Sequence, residues 1–133
     1  MDSIRYGFQK TLHGVKFDDA REKVEAELKK EGFGVLTEID VKSTFKKKLD
    51  VDFRQYVILG ACNPNLAHEA ITNESHIGLL LPCNVVVQEN TEGDIVVSIA
   101  DPRSMFAMVN NDNLEHLAVD AEARLSRVID ALS

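Results

Sequence analysis

Two apolar segments near the middle of the chain constrain its fold more than any other feature of the sequence. The first reads Tyr-Val-Ile-Leu-Gly-Ala-Cys over residues 56–62, and the second reads Leu-Leu-Leu-Pro-Cys-Asn-Val-Val-Val over residues 79–87. Neither segment alternates regularly between apolar and polar residues, a pattern typical of strands that are covered on both faces. The sequence therefore predicts a sheet whose central strands are apolar on both sides.

A capping box and a helix stop predict the first of two long helices. Asp19 is followed three residues later by Glu22, and Gly32 has the usual position after a helix C-terminus. These signals predict a helix near residues 18–32. A broad apolar stripe predicts the second long helix near residues 113–132.

Between these helices, the residues from 33 to 41 change to a two-residue period and predict a strand. Thr37 and Ile39 then lie on its core-facing side, and Glu38 and Asp40 lie on the other. Two carboxylates on one face could form the general acid–base pair of a hydrolase. The acidic, solvent-facing side of a strand is the simpler interpretation, and we favour it.

The predicted order is strand, helix, strand, short helix, strand, short helix, two strands joined as a hairpin, and a final helix. This order predicts a single α+β domain over residues 1–133, with a two-layer antiparallel sheet of about five strands and both long helices on one face. The opposite face then needs covering, because the central strands are apolar on both sides. We therefore expect a homodimer that buries this face.

The composition argues against several classes of partner. The 22 acidic and 15 basic residues give a net charge of −7, which argues against nucleic acid or an anionic membrane as the main partner. No apolar run reaches the ~20 residues of a membrane span, and the N-terminus lacks the pattern of a signal peptide. We therefore expect a cytoplasmic protein. The basic cluster Lys46, Lys47 and Lys48 is interpreted as the solvated face of a short helix rather than as an anion site.

The only two cysteines occupy similar settings at the ends of the apolar segments. Cys62 closes one strand and precedes Asn63, and Cys83 opens a later strand and precedes Asn84. If these strands are antiparallel neighbours, the two thiols lie ~4–8 Å apart, close enough to share a metal, form a disulfide or line one pocket. Cys62 also precedes a helix N-terminus, which favours a thiolate. Two unrelated core thiols are the alternative.

Three further side chains are candidates for the same site. Asn63 and Asn84 could donate hydrogen bonds there, and His68 is a candidate third ligand beside Cys62 and Cys83 for a transition metal such as zinc. The position of His68 suits a helix surface equally well. Cys-x-x-Cys spacing, a glycine-rich phosphate loop and His-Glu-x-x-His are all absent from the sequence.

Three segments together resemble a known family. They are Gly-Phe-Gly-Val-Leu-Thr-Glu-Ile-Asp at 32–40, Tyr-Val-Ile-Leu-Gly-Ala-Cys-Asn-Pro at 56–64 and Ile-Gly-Leu-Leu-Leu-Pro-Cys-Asn-Val at 77–85. They resemble the bacterial and archaeal family of domain of unknown function 302, over about residues 6–132. The resemblance implies a two-layer α+β fold similar to half of the TATA-binding protein, without DNA binding, and a homodimer. It implies no activity, but it marks as motif positions Asp40, Cys62, Asn63, Pro64, Pro82, Cys83 and Asn84.

Two functions of different classes remain open. The first is a thiol-based site, metal-binding or redox, in which Cys62 and Cys83 act with help from Asp40 and His68. The second is a non-catalytic module that binds a small molecule or a protein, with the cysteines in the pocket wall or the core. A reactive thiol needs a low pKa and access to solvent. Thiol titration of the native protein, with and without a chelator and a reductant, therefore separates the two functions.

Overall fold

The computed structural model describes residues 4–132, which form five strands, five α-helices and two short 3-10 helices. In chain order the elements are β1 (Gly7–Leu12), α1 (Phe17–Lys30), β2 (Gly34–Asp40), α2 (Val41–Leu49), β3 (Tyr56–Cys62), α3 (Pro64–Asn73), a 3-10 helix (Ser75–Leu80), β4 (Cys83–Glu89), β5 (Ile95–Ala100), α4 (Pro102–Ala107), a 3-10 helix (Asp112–Leu114) and α5 (Glu115–Ala131).

The five strands form one antiparallel sheet in the order β1-β5-β4-β3-β2. The hairpin β4–β5 places β4 at the centre, and the first strand of the chain pairs with the last, with Gly7 opposite Ala100. This architecture confirms the predicted α+β fold with its five-stranded antiparallel sheet. Within residues 4–132, no helix is long and apolar enough to cross a lipid bilayer.

The two long helices bury their apolar stripes against one face of the sheet. Val24 and Leu28 of α1 and Leu125 and Val128 of α5 are almost completely buried in the main core. Each pair is spaced by three or four residues, which places its members on the same side of a helix. The strand residues that meet them are Leu12, Val57, Leu59, Ala61, Val85, Val87, Ile95, Val97 and Ile99.

The start of α1 differs from the prediction. The helix begins at Phe17, and its N-cap residue Lys16 makes no side-chain capping bond. The predicted capping box of Asp19 and Glu22 is therefore wrong. Asp19 lies inside the first turn, where a carboxylate is favoured by the helix dipole without capping a backbone N–H.

A β-bulge changes which residues of β2 face the helices. The register with β3 shifts between Val35 and Thr37, so Leu36 is an extra residue in the strand. Glu38 consequently lies on the helix side, where it forms an ion pair with Arg21 of α1 at 2.6 Å. The predicted inward position of Thr37 and Ile39 is wrong, since Ile39 is 49% exposed on the other side.

The second face of the sheet, which we call the open face, contributes none of its described side chains to the main core. It also contributes none to the second buried cluster of the described chain, which consists of Ala70, Ile77, Leu114 and Leu117. One row of paired residues crosses it from β1 to β2, namely Gln9, Ser98, Val86, Ile58 and Ile39. The remaining strand positions on the open face are Gly7, Thr11, Gly34, Thr37, Tyr56, Gly60, Cys62, Asn84, Gln88, Val96 and Ala100. None of these residues is charged.

Helix α2 lies at one margin of the open face. The rings of Phe45 and Phe53 are 5.0 Å apart, and the rings of Phe53 and Tyr56 are 6.2 Å apart. The guanidinium of Arg54 lies 4.4 Å from the centre of the Phe53 ring. This aromatic cluster attaches α2 to the end of β3 and leaves the centre of the sheet uncovered by it.

Candidate functional site

Both cysteines lie at the same end of the central strand pair. Ala61 of β3 is directly opposite Cys83 of β4, and Cys62 is the next residue along β3. From the spacing between strands and the rise per residue, the Cα atoms of Cys62 and Cys83 are about 6 Å apart. Cys83 shares the helix side with Ala61, whereas Cys62 ends its strand on the side of the open face.

Because β3 stops at Cys62 and the chain turns into α3, both thiols line one pocket at this edge of the sheet, which we call the thiol pocket. The cavity measures about 30 Å³, enough for about two water molecules. Most of its wall is apolar and includes Phe33, Leu66, Leu81, Pro82, Phe106 and Leu117. Helices α3, α4 and α5 therefore close the pocket over the end of β3 and β4.

Asn63 is the one amide side chain in the described pocket wall, and its oxygen and its nitrogen each already make one hydrogen bond. It is 8% exposed, its Oδ1 accepts a hydrogen bond from the Leu66 N–H at 3.3 Å, and its Nδ2 donates to the Glu31 carbonyl at 3.4 Å. Arg124 of α5 donates to the same carbonyl at 3.1 Å. Asn63 thus caps α3 and connects it to the end of α1, as Asn at this position commonly does.

The environment of the pocket keeps both thiols protonated. Burial raises the pKa of Cys83 to about 11, with a smaller contribution from the neighbouring Cys62. Burial also raises the pKa of Cys62. Both cysteines are free thiols. The expectation that the start of α3 favours a Cys62 thiolate is therefore wrong, because desolvation outweighs the helix dipole here.

The other predicted site residues do not line the pocket that holds both thiols. Asp40 is at the opposite end of β2, where its Oδ1 accepts a hydrogen bond from the Ser43 N–H at 2.9 Å and caps α2. His68 is exposed on α3, and Asn84 is exposed on the open face.

The predicted metal ligands do not assemble. Among residues 4–132, no group of three or more His, Cys, Asp or Glu side chains could hold a metal ion, so Cys62, Cys83 and His68 form no zinc site. The candidate acid–base pair fails for a different reason. Glu38 is engaged by Arg21 and Asp40 caps a helix, so the two carboxylates serve separate structural contacts.

Phe106 is the most informative pocket residue that the sequence did not reveal. It lies on α4, which begins at Pro102 after the capping residue Asp101, and it lines the thiol pocket. The same ring also lines a cavity of about 230 Å³ beside Arg103 and another of about 110 Å³ beside Leu79. Asp101-Pro102 signals a helix start in the sequence, but nothing local indicates that this helix reaches the end of β4.

Comparison with known proteins identifies related sequences and structures. A family model described as "Domain of unknown function DUF302" matches residues 8–132. The crystal structure of an uncharacterized conserved DUF302 protein from Bacillus stearothermophilus superposes with a TM-score of 0.88 and 29% sequence identity. That match covers 98% of this chain and 100% of the other. No curated protein matches the chain.

Proposed function

This chain belongs to the DUF302 family, and from that premise we propose that it is a binding domain for a small, mostly apolar molecule. The molecule would be held at the edge of the sheet, between the ends of β3 and β4 and the helices α3, α4 and α5. The two cysteines are walls of this pocket and take part as neutral, weakly polar groups.

The observation that carries the proposal is the chemistry of the pocket wall. Both thiols are protonated, and the Asn63 amide is occupied by the Leu66 N–H and the Glu31 carbonyl. The remaining wall is aliphatic or aromatic. Such a surface gives little to a charged or strongly polar molecule, which would lose its hydration without gaining partners.

Phe106 determines how large the molecule can be. The present cavity of about 30 Å³ is far below the ~300–1,000 Å³ of typical small-molecule sites. Because Phe106 also lines the cavities of about 230 and 110 Å³, we expect a change of its rotamer to enlarge the pocket toward them. A molecule larger than a few atoms therefore requires Phe106 to move.

Titration with benzene and indole, followed by methyl NMR shifts of Leu66 and Leu117, tests this proposal. We expect weak binding of benzene to the wild type, with tighter binding and acceptance of indole by Phe106→Ala. Ala67→Leu fills the pocket from α3 and should abolish binding. The matched control Ala123→Leu adds the same side chain at an exposed helical position and should bind like the wild type. Equal binding by Ala67→Leu and Ala123→Leu would exclude this pocket.

The juxtaposition of the two thiols supports a second candidate, a thiol-based site. Two sulfurs are too few for a structural zinc site, which takes four protein ligands, but soft thiolates also select Cu(I). Binding would release a proton from each of Cys62 and Cys83, since both are protonated at neutral pH. Titration with Cu(I) under reducing conditions, with proton release measured in weak buffer, tests this candidate. Slow reaction of both thiols with Cu(I) and no proton release would favour the binding domain over the thiol-based site.

A further inference from the structure

We propose that the molecule held in the thiol pocket is neutral and carries one amide-like group, which the side chain of Asn84 binds. This inference rests on the proposed function and names the chemical class of its ligand. The apolar part of the molecule lies in the thiol pocket. Its polar group lies in the neighbouring cavity of about 110 Å³, between the first 3-10 helix, α4 and the start of β4.

The walls of the two cavities show in which direction the ligand extends. The thiol pocket and the cavity of about 110 Å³ share the lining residues Leu81, Pro82, Cys83, Pro102 and Phe106. Among the described residues, the cavity of about 230 Å³ shares only Phe106 with the thiol pocket. A molecule that outgrows the thiol pocket therefore continues along a common wall toward the smaller cavity.

The charge of the walls favours the same direction. The cavity of about 230 Å³ is lined by Arg103, Asp112 and Glu115. An apolar molecule that entered it would remove water from these charged groups without replacing the lost hydrogen bonds. The described wall of the cavity of about 110 Å³ contains no charged residue. The molecule that fits this wall is therefore neutral as well as largely apolar.

Asn84 is the one amide side chain in the described wall of the cavity of about 110 Å³. It follows Cys83 as Asn63 follows Cys62, but the two amides differ in their contacts. Asn63 uses its oxygen and its nitrogen within the protein, whereas the Asn84 side chain makes no hydrogen bond to the described chain. Asn84 is exposed, so its acceptor oxygen and two donor hydrogens are accessible to a ligand.

The fold gives no reason for an amide at residue 84. Asparagine is depleted in strands, and Asn84 lies in the central strand β4 opposite Gly60. The side-chain oxygens of Asn63, Asn90 and Asn111 accept backbone hydrogen bonds in caps or turns. Asn84 has no such role in the described chain. A ligand-binding role accounts for a polar side chain at this position.

The chemistry of Asn84 selects a group that has both a donor and an acceptor. A carboxamide or a lactam can accept a hydrogen bond from Asn84 Nδ2 and donate one to Asn84 Oδ1. A carboxylate would use only the donors, and its charge would lie beside Leu79, Met105 and Phe106 without a cationic partner. The expected ligand is therefore an apolar molecule with one carboxamide or lactam group.

Titrations with benzene, benzamide and benzoate, followed by the methyl NMR shifts of Leu66 and Leu117, test this inference. Asn84→Leu should raise the dissociation constant for benzamide about tenfold, because two hydrogen bonds are lost, and change that for benzene by less than about twofold. The matched control Asn65→Leu makes the same substitution at an exposed position of α3 and should bind both like the wild type. Benzoate should bind the wild type more weakly than benzamide.

The side-chain amide resonances of Asn84 add a test that needs no folded variant. In the wild type, benzamide should shift them and benzene should leave them nearly unchanged. If benzene binds but Asn84→Leu and Asn65→Leu have equal affinity for benzamide, or if the Asn84 resonances do not respond to benzamide, the role of Asn84 is overturned and the apolar pocket stands. Benzoate binding as tight as that of benzamide overturns the neutral ligand. Absence of benzene binding contradicts the proposed function itself, and this inference with it.

Discussion

The two faces of the sheet are built from the same five strands but differ in what covers them. On the helix side, Leu59 is completely buried under α1 and α5. Its neighbour Ile58 is equally aliphatic, yet it is only half-buried on the open face. The difference shows that the helix layer determines burial here, because the composition of β3 is apolar on both sides.

This contrast separates two roles for apolar strand residues. Those on the helix side hold the fold together, and those on the open face have no partner within the described chain that buries them completely. The two thiols differ in strand register, although both line the same pocket. Cys83 has the register of the helix side and has its pKa raised to about 11, whereas Cys62 has the register of the open face.

The largest effect should come from truncating the helix side. Leu59→Ala should lower the free energy of unfolding by about 2–5 kcal/mol, because it leaves a cavity in a completely buried site. Ile58→Ala, one residue earlier on the open face, should cost about 1 kcal/mol or less, because this side chain is only half-buried. Urea denaturation measures both. Equal losses would mean that the open face is covered within a single chain, and the contrast would disappear.

A pH series sharpens the comparison at the two thiols. The pKa of Cys83 is raised from the usual 9.0 to about 11 in the folded chain, so its contribution to stability is complete below pH 9.0 and is lost as the pH rises toward 11. The loss should amount to about 2–3 kcal/mol. Cys83→Ala should lack this part of the decline between those pH values, while Cys62→Ala should retain most of it. The same decline in wild type and Cys83→Ala would contradict the assigned burial.

One corner of the open face, around Gly60, is covered by side chains of the same chain. Two glycine substitutions test this. A Cβ atom at Gly60 would overlap Thr37 Oγ1 and lie 2.7 Å from Pro82 Cγ, whereas one at Gly34 would meet nothing within 4 Å. Gly60→Ala should therefore cost about 1–3 kcal/mol from overpacking. Gly34→Ala, also on the open face, should change stability by less than about 1 kcal/mol. Thermal unfolding of both variants measures the difference, and similar melting temperatures would show that this corner is not covered.

The smallest effect is expected at the outer edge of the open face. Ile39→Thr keeps a β-branched side chain at a position that is 49% exposed, so it should change the stability of the monomer by no more than about 0.5 kcal/mol. Chemical denaturation of Ile39→Thr beside the wild type measures this difference. A large loss would mean that Ile39 is buried, contrary to its exposed position in the structure.

The fold was predictable from the sequence because its strongest signals are periodic. The stripes of α1 and α5 and the turn between β4 and β5 specify the elements, and their order specifies an α+β sheet. The faces of β2 were not predictable, because the bulge at Leu36 arises from pairing with β3. One extra residue moves every later side chain to the opposite face, and a single-strand pattern carries no information about it.

The candidate site was predictable only in part. Strand pairing correctly predicts that Cys62 and Cys83 lie at one edge, since it depends on sequence order alone. The protonation of the thiols depends on how far helices from distant parts of the chain exclude water, and Phe106 belongs to such a helix. For Asp40, capping and ligand binding require the same carboxylate at the same position. Only the hydrogen bond from Ser43 distinguishes the two roles.

The pairing of the first strand with the last has a consequence for how the protein is made. While the chain emerges from the ribosome, Gly7–Leu12 must wait for Ile95–Ala100 before it has a partner. The thiol pocket must wait longer, because Leu117 and Ala121 of α5 supply part of its wall. Nascent chains are therefore expected to carry both cysteines unshielded until α5 has been synthesised, which makes that interval the period of greatest exposure to oxidants and soft metals.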